Sequence, residues 1–174
     1  MKIFLLGFMG SGKTTMGAWL AAHYRSKLID TDWMVEGKHH KSVAKMFEQD
    51  GEEVFRKAEH TVLQNILEQE KACVVACGGG MPCFFDAMAA MNAAGATVYL
   101  KLSADLLFSR LRKEINQRPL LAQQEDLQGY ITDTLKQREP YYSQAKHTVI
   151  VQDGDTIAEV KRRIVAAVDR EQGG

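Results

Sequence analysis

The chain has 174 residues, of which 45% are hydrophobic and 25% are charged. This length and composition suit one compact globular domain with a full hydrophobic core. The 22 basic side chains balance the 22 acidic ones, so no excess of positive charge favours nucleic acid or a membrane surface as a partner.

Cysteine usage and the N-terminal segment predict where the protein works. The three cysteines, Cys73, Cys77 and Cys83, are an odd number and their spacing fits no structural zinc motif. Small apolar side chains in and beside a strand are therefore the favoured interpretation. The N-terminal apolar stretch is too short for a secretory leader, and no run is long enough to span a membrane. We therefore expect a cytoplasmic protein. A monomer is the default expectation, since the sequence is silent on oligomeric state.

Residues 7–14 carry the most informative motif of the chain, and they follow an apolar run at Ile3-Phe4-Leu5-Leu6. Their sequence, GFMGSGKT, fits G-x-x-x-x-G-K-[ST], a loop whose backbone N–H groups cradle phosphates. The apolar run predicts a buried strand, and Met16, Leu20 and Tyr24 predict one face of the helix that follows. This strand, glycine turn and helix favour a nucleotide site over a chance match.

Each position of this loop has a physical role in holding phosphates. Glycines let the backbone curl around phosphate oxygens, and free N–H groups at the start of the helix attract anions. Lys13 adds a positive charge toward the outer phosphates, and Thr14 offers a hydroxyl to Mg²⁺. The predicted phosphate-binding residues are Gly10, Ser11, Gly12, Lys13, Thr14 and Thr15.

Strand and helix patterns alternate along the rest of the chain. Apolar runs at 28–30, 72–77, 97–100 and 148–151 predict four further strands, and helical patterns separate them, as at 84–91. The predicted apolar face of the last helix comprises Ile157, Val160, Ile164 and Val168. Five buried strands with helices between them predict an α/β fold with a parallel sheet that is covered on both faces.

Two segments interrupt this alternation. Residues 33–56 carry two short helical patterns in place of one crossover helix, and residues 113–128 are polar apart from the run 119–121. In parallel sheets of this kind, ligands bind beyond the carboxyl ends of the strands. Insertions at that edge are typically substrate sites or lids.

The segment Asp30-Thr31-Asp32 follows the second predicted strand. On an extended segment, two acidic residues in alternate positions point to the same side. One carboxylate can hold Mg²⁺ through water while the other reaches a substrate hydroxyl, which are the two functions that phosphoryl transfer needs. The alternative is that an Asp caps the following helix, a position that Asp favours.

Four other positions have both a binding and a plain structural interpretation. Glu59 can orient Arg56 toward an anion, although these residues alone favour a solvated ion pair. The run Gly78-Gly79-Gly80 offers backbone N–H groups that a ligand can approach closely, or forms only a turn. Arg118 can reach the transferred phosphoryl group from a lid, or is an exposed loop residue. Arg138 can bind an anion, or is a cation near a helix end.

Together and in this order, these motifs resemble the shikimate kinase family. The matching pieces run from Gly7 to Tyr142, and they are GFMGSGKTT, D-T-D, F-R-x-x-E, G-G-G, R-P-L-L and R-E-P-x-Y. Kinases that act on gluconate or nucleotides share the loop but not the later pieces. The resemblance implies a P-loop kinase fold, ATP and Mg²⁺ as cofactors, and phosphorylation of the 3-hydroxyl of shikimate on the route to chorismate.

The resemblance also implies a role for each matching residue. Asp32 would contact the substrate hydroxyls as base or orienter, and Arg56 and Arg138 would bind the carboxylate of shikimate. Glu59 would hold Arg56, and Gly78–Gly80 would offer N–H groups. On the nucleotide side, Lys13 and Arg118 would act on the phosphates, while Asp30 and Thr14 would support Mg²⁺. Within a single domain, 1–174, residues 33–60 would form the substrate-binding subdomain and 113–125 the lid.

One departure from the family pattern concerns the metal. A hydroxyl residue is common just before the three glycines, where this chain has Ala76 and Cys77. No Asp ends the third predicted strand either, so Asp30 must supply the carboxylate on the metal side. The alternatives to shikimate phosphorylation are another small-metabolite kinase, such as a gluconate or nucleotide kinase, and a nucleotide switch without turnover.

Overall fold

The centre of the molecule, seen in a computed structural model that describes residues 1–114, 119–122 and 124–172, is a parallel β-sheet. Within these residues the sheet has five strands in the order β2-β3-β1-β4-β5, and every neighbouring pair is parallel. The strands are β1 (Lys2–Leu6), β2 (Lys27–Asp30), β3 (Cys73–Ala76), β4 (Gly95–Lys101) and β5 (His147–Ile150). The predicted five-stranded parallel sheet is confirmed.

Helices cover both faces of the sheet. They are α1 (Lys13–His23), α2 (Thr31–His39), α3 (Val43–Gln49), α4 (Glu52–Gln69), α5 (Ala87–Ala94), α6 (Ala104–Leu111), α7 (Pro119–Ala122), α8 (Leu127–Tyr142) and α9 (Ile157–Gln172). Alternate side chains of a strand point to opposite faces. Ile3 and Leu5 therefore pack in a core with α1, α6, α8 and α9, while Phe4 and Leu6 pack in a second core with α2 to α5.

Two predicted helix features differ in the structure. The helix expected at 84–91 is a 3-10 helix at Met81–Cys83 followed by α5, because Phe85 and Asp86 adopt φ values of 53° and 51° that no right-handed helix allows. Ile157 is 61% exposed, so it does not share the buried face formed by the other three residues of the predicted apolar face, Val160, Ile164 and Val168. It is the first residue of that helix and lies beyond the core.

The predicted insertion and subdomain, within residues 33–60, contain most of α2, all of α3 and the first half of α4. Its buried side chains Val35, Met46 and Phe55 belong to the same core cluster as Val75 of the sheet. Because α4 continues to Gln69, the insertion shares a helix with the body of the domain. The subdomain boundaries at 33–60 stay a prediction.

The predicted lid at 113–125 is described only in part. Residues 115–118 and 123, including Arg118, lie outside the described residues. Helix α7 and the start of the segment are described, and Leu121 is buried in the core beside α6 and α8. None of the described helices is both long and apolar enough to cross a membrane.

Candidate active site

The phosphate loop joins β1 to α1, as its sequence context predicts. Gly10 and Gly12 have φ values of 77° and 95°, a left-handed conformation that favours glycine. The N–H of Ser11 donates to the carbonyl oxygen of Phe8 at 3.2 Å, which closes the turn before α1 begins at Lys13. The loop therefore presents its backbone at the carboxyl edge of the sheet, where the positive end of the α1 dipole lies.

Lys13 is folded over this loop. Its Nζ donates to the carbonyl oxygens of Gly7 and Phe8 at 2.8 and 2.9 Å. Burial lowers the pKa of Lys13 to about 8, although the carboxylates of Asp32 and Asp30 act in the opposite direction. A buried ammonium of this kind is stabilised by any anion that enters the loop.

Asp30 caps α2 and also contacts the phosphate loop. Its Oδ1 accepts from the N–H groups of Asp32 and Trp33 at 3.1 and 3.4 Å, and its Oδ2 accepts from the Thr14 hydroxyl at 2.7 Å. The expectation that Asp30 and Asp32 alternate on an extended segment is wrong, because the helix begins at Thr31. The capping alternative is confirmed, and the second carboxylate oxygen is directed at Thr14.

Asp32 lies in the first turn of α2 and faces the three glycines. Its Oδ1 is 2.6 Å from the position that a Cβ atom on Gly78 would occupy. Burial raises the pKa of Asp32, the charge of Asp30 raises it further, and Lys13 acts in the opposite direction. Asp32 is thus a partly buried carboxylate between the lysine of the loop and the glycine turn.

Arg56 and Glu59 form a buried ion pair on α4, so the solvated pair favoured by these residues alone is wrong. Arg56 is 7% exposed and Glu59 is 2% exposed. Arg56 Nη1 donates to Glu59 Oε2 at 2.6 Å, and its Nη2 donates to Glu52 Oε1 at 2.9 Å. The guanidinium also lies 4.6 Å from the ring centroid of Phe84. Burial raises the pKa of Glu59 to about 7, against the effect of Arg56.

The three glycines follow β3 and are surrounded by these charged groups. A methyl group on Gly78 would collide with Glu59 Oε1, and one on Gly80 would collide with the Arg56 guanidinium. A Cβ atom on Gly79 would lie 3.1 Å from Arg138 Nη1. The sequence needs glycine here because charged side chains pass directly against the backbone. The turn brings Arg56, Arg138, Asp32 and Glu59 together.

Arg138 reaches this turn from α8. Its guanidinium lies 5.6 Å from the ring centroid of Phe8 in the phosphate loop. The ion pairs among the described residues include none formed by Arg138. A half-buried cation beside a glycine turn, with no carboxylate partner in the part of the chain that the structure describes, can accept an anionic ligand.

Sequence reasoning missed two hydroxyl groups that hold the glycine turn. The buried Thr31 hydroxyl accepts a hydrogen bond from the N–H of Gly78 at 2.8 Å, and the buried Tyr142 hydroxyl donates to the carbonyl oxygen of Gly79. Thr31 is the middle residue of D-T-D, and Tyr142 ends R-E-P-x-Y. These motif positions were the available signal, but neither residue type indicates by itself which backbone group it binds.

A phosphate loop that faces a cluster of arginines and carboxylates, at the carboxyl edge of a parallel sheet, defines a P-loop kinase of small molecules. Comparison with known proteins agrees. The family model for shikimate kinase matches residues 9–169. The chain belongs to the shikimate kinase family and is therefore an ATP-dependent kinase, which confirms the predicted resemblance.

Individual relatives cover nearly the whole chain. A shikimate kinase of Phocaeicola vulgatus is 44% identical over 170 residues, which cover 97% of this chain and 94% of that protein. The crystal structure of shikimate kinase from Bacteroides thetaiotaomicron is 38% identical, with a TM-score of 0.86 and coverage of 99% and 97%. Shikimate kinase from Acinetobacter baumannii, solved in complex with shikimate, is 30% identical, with the same TM-score and coverage of 97% and 93%.

Proposed function

We propose that the described site transfers the γ-phosphoryl group of ATP to the 3-hydroxyl of shikimate, with the residue roles set out below. The observation that carries this assignment is that Arg138 and Arg56 lie against neighbouring residues, Gly79 and Gly80, of one glycine turn. The same turn adjoins Asp32, whose charge is coupled to that of Lys13. The two arginines that can bind an acid and the lysine that can bind a phosphate thus lie on either side of the Asp32 carboxylate.

Arg56 and Arg138 would bind the carboxylate of shikimate. Arg56 is held by Glu59 and Glu52, which leaves its orientation little freedom. Arg138 brings a positive charge that no described carboxylate pairs with. Two guanidinium groups form charge-assisted hydrogen bonds to a planar carboxylate, and these bonds are stronger than neutral ones. The N–H groups of Gly78–Gly80 would complete the contacts to the substrate.

The phosphates of ATP would lie on the loop opposite. Lys13 would leave its carbonyl partners to contact the outer phosphates, and Arg118 would approach from the lid. Thr14 and Asp30 fit Mg²⁺ because they direct a hydroxyl and a carboxylate oxygen at each other across 2.7 Å, and Mg²⁺ prefers oxygen ligands with few protein groups. When bound, the ion would neutralise charge on the phosphate oxygens. Gly10, Ser11, Gly12 and Thr15 would complete the contacts to the phosphates.

Asp32 would accept or orient the proton of the reacting hydroxyl. The raised pKa of this carboxyl makes its ionised form a stronger base than an ordinary aspartate. As the hydroxyl oxygen bonds to phosphorus, its proton would pass to a carboxylate oxygen of Asp32, and ADP would leave. The neighbouring Lys13 would limit the cost of keeping Asp32 ionised before the reaction.

Steady-state kinetics test the assignment. Arg56→Ala and Arg138→Ala should each raise the KM for shikimate by about tenfold or more while changing the KM for ATP little, because truncating one partner of a charge-assisted contact costs roughly 2 kcal/mol or more. Lys57→Ala is the matched control, since Lys57 is exposed on the same helix and, among the described residues, its ammonium pairs only with the exposed Glu53. Equal increases in both KM values would contradict the acid site.

A substrate panel separates shikimate from other small metabolites. ADP release should be rapid with shikimate and slow with gluconate and nucleoside monophosphates. The proposed acid site would fit a carboxylate on a hydroxylated ring, whereas gluconate is an open chain and a nucleotide carries a nucleobase. A faster rate with gluconate would favour the other small-metabolite kinase. The cytoplasmic location, the monomeric state, the absence of nucleic-acid and membrane partners, the subdomain at 33–60 and the lid at 113–125 stay predictions.

A further inference from the structure

Tyr142 is a buried residue that no step of the phosphoryl transfer requires. It is the last residue of α8, its side chain has no exposed surface, and its hydroxyl donates to the carbonyl oxygen of Gly79. Its ring packs against that of Tyr99, with the two centroids 5.0 Å apart. The packing of the two rings requires no hydroxyl on Tyr142. The hydroxyl instead makes a hydrogen bond to the glycine turn.

Arg138 lies one helical turn before Tyr142, so the two side chains share a face of α8. Burial raises the pKa of the Tyr142 hydroxyl well above its ordinary value, against the effect of the Arg138 guanidinium. The hydroxyl therefore stays protonated. It donates to the carbonyl oxygen of Gly79, and Arg138 Nη1 lies 3.1 Å from the position that a Cβ atom on Gly79 would occupy, so the tyrosine and the arginine meet at one glycine.

This link reaches the second arginine as well. A peptide group is planar, so a hydrogen bond that fixes the carbonyl of Gly79 also fixes the N–H of Gly80. Gly80 lies directly against the guanidinium of Arg56. The position of Tyr142 therefore bears on the distance between the two arginines, although Tyr142 itself is too deeply buried to contact a ligand.

We propose that Tyr142 is a positioning residue for substrate recognition. Its hydroxyl holds the Gly79–Gly80 peptide, against which both guanidinium groups lie, in the arrangement that binds the substrate carboxylate. This inference rests on the proposed role of Arg138. It adds to that role a fixed backbone surface beside the guanidinium, for which the described residues supply no carboxylate partner.

The test is Tyr142→Phe, which removes the hydroxyl and keeps the buried ring. We expect the KM for shikimate to rise by about three- to tenfold, the effect of losing one hydrogen bond, with kcat and the KM for ATP within about twofold of the wild type. Tyr99→Phe is the matched control. It deletes a hydroxyl that donates to Glu139, which Lys101 also holds, so its KM for shikimate should be unchanged.

A double-mutant cycle with Arg138→Met separates positioning from a general structural role. If Tyr142 acts through the peptide beside both arginines, the Tyr142→Phe effect on the KM for shikimate falls to about twofold or less in the Arg138→Met background, where only the Gly80 contact with Arg56 is left. An unchanged KM in Tyr142→Phe, an effect that is undiminished without Arg138, or equal effects of Tyr142→Phe and Tyr99→Phe would each overturn the inference. If Arg138→Met itself leaves the KM for shikimate unchanged, the proposed acid site is at fault instead. Thermal unfolding of each variant identifies loss of fold.

Discussion

The phosphate loop and the acid site are built in opposite ways. The loop is one contiguous segment, residues 7–14, held between β1 and α1 by bonds within itself. The acid site combines side chains from α2, α4 and α8 around the turn after β3. Phosphate binding therefore depends on local backbone conformation, whereas acid binding depends on the packing of four elements that are distant in sequence.

The basic side chains of the two regions also have different hydrogen-bond partners. Lys13 is surrounded by carbonyl oxygens, and burial lowers its pKa to about 8. Arg56 is held by two carboxylates and stays charged, with its pKa raised despite burial. The loop can therefore release its lysine to a phosphate at little cost, while the acid site keeps Arg56 in place. Mutations at the two sites should consequently fail in different ways.

The largest expected effect is on the carboxylate that lies between the two regions. Asp32→Asn should lower kcat by about 100-fold or more, because the variant cannot accept the hydroxyl proton. Binding of ATP, measured by calorimetry, should change little, since the loop holds the phosphates by its own backbone. A near-normal kcat would remove Asp32 from the chemistry and leave it only a role in charge balance.

The next largest effect is a difference in the stability of the folded protein between variants of the two arginines. Arg56→Ala leaves Glu59 buried without its partner, which should lower the free energy of unfolding by about 3 kcal/mol. Arg138→Ala breaks no ion pair with the described residues and should cost less than about 1 kcal/mol. Urea unfolding of both variants measures the difference. Equal losses would mean that the Arg56–Glu59 pair contributes no more to the fold than an arginine without an ion pair.

The smallest effect concerns pH. Burial raises the pKa of Glu59 to about 7. At a pH between the ordinary value of 4.5 and about 7, the Glu59 carboxyl is therefore protonated in the folded protein and ionised in the unfolded chain. The stability from this group is present below about pH 4.5, its unfolded value, and is lost as the pH rises through 7. Arg56, Asp32 and Arg138 face the carboxylate and set the size of the shift.

We therefore expect the stability of the wild type relative to Glu59→Gln to fall between pH 4.5 and 8, by about 1 to 3 kcal/mol. Glu53→Gln, at an exposed position on the same helix, should show no such slope in this range. Denaturant unfolding at several pH values checks both variants. A constant difference between wild type and Glu59→Gln would show that Glu59 titrates at its ordinary pKa.

Sequence patterns predicted the parallel sheet, the phosphate loop and the buried cysteines of β3 and its end, because each depends on short-range periodicity or on residue size. They misjudged Asp30 and Asp32, since the start of α2 replaces the extended segment that alternation assumes. They also misjudged the Arg56–Glu59 pair. A spacing of three residues says that two side chains share a helix face but not whether that face is buried.

The sequence by itself therefore determined the class of fold and the phosphate-binding half of the site. A glycine-rich turn between a strand and a helix has few ways to fold, and its N–H groups must point at the same place. The family resemblance implied that Arg56 and Arg138 act on one ligand, but only the tertiary structure decided how the acid site is built: both arginines lie against one glycine turn, Thr31 and Tyr142 hold that turn, and Glu59 is buried. Those facts depend on contacts between distant segments, and no local pattern records them.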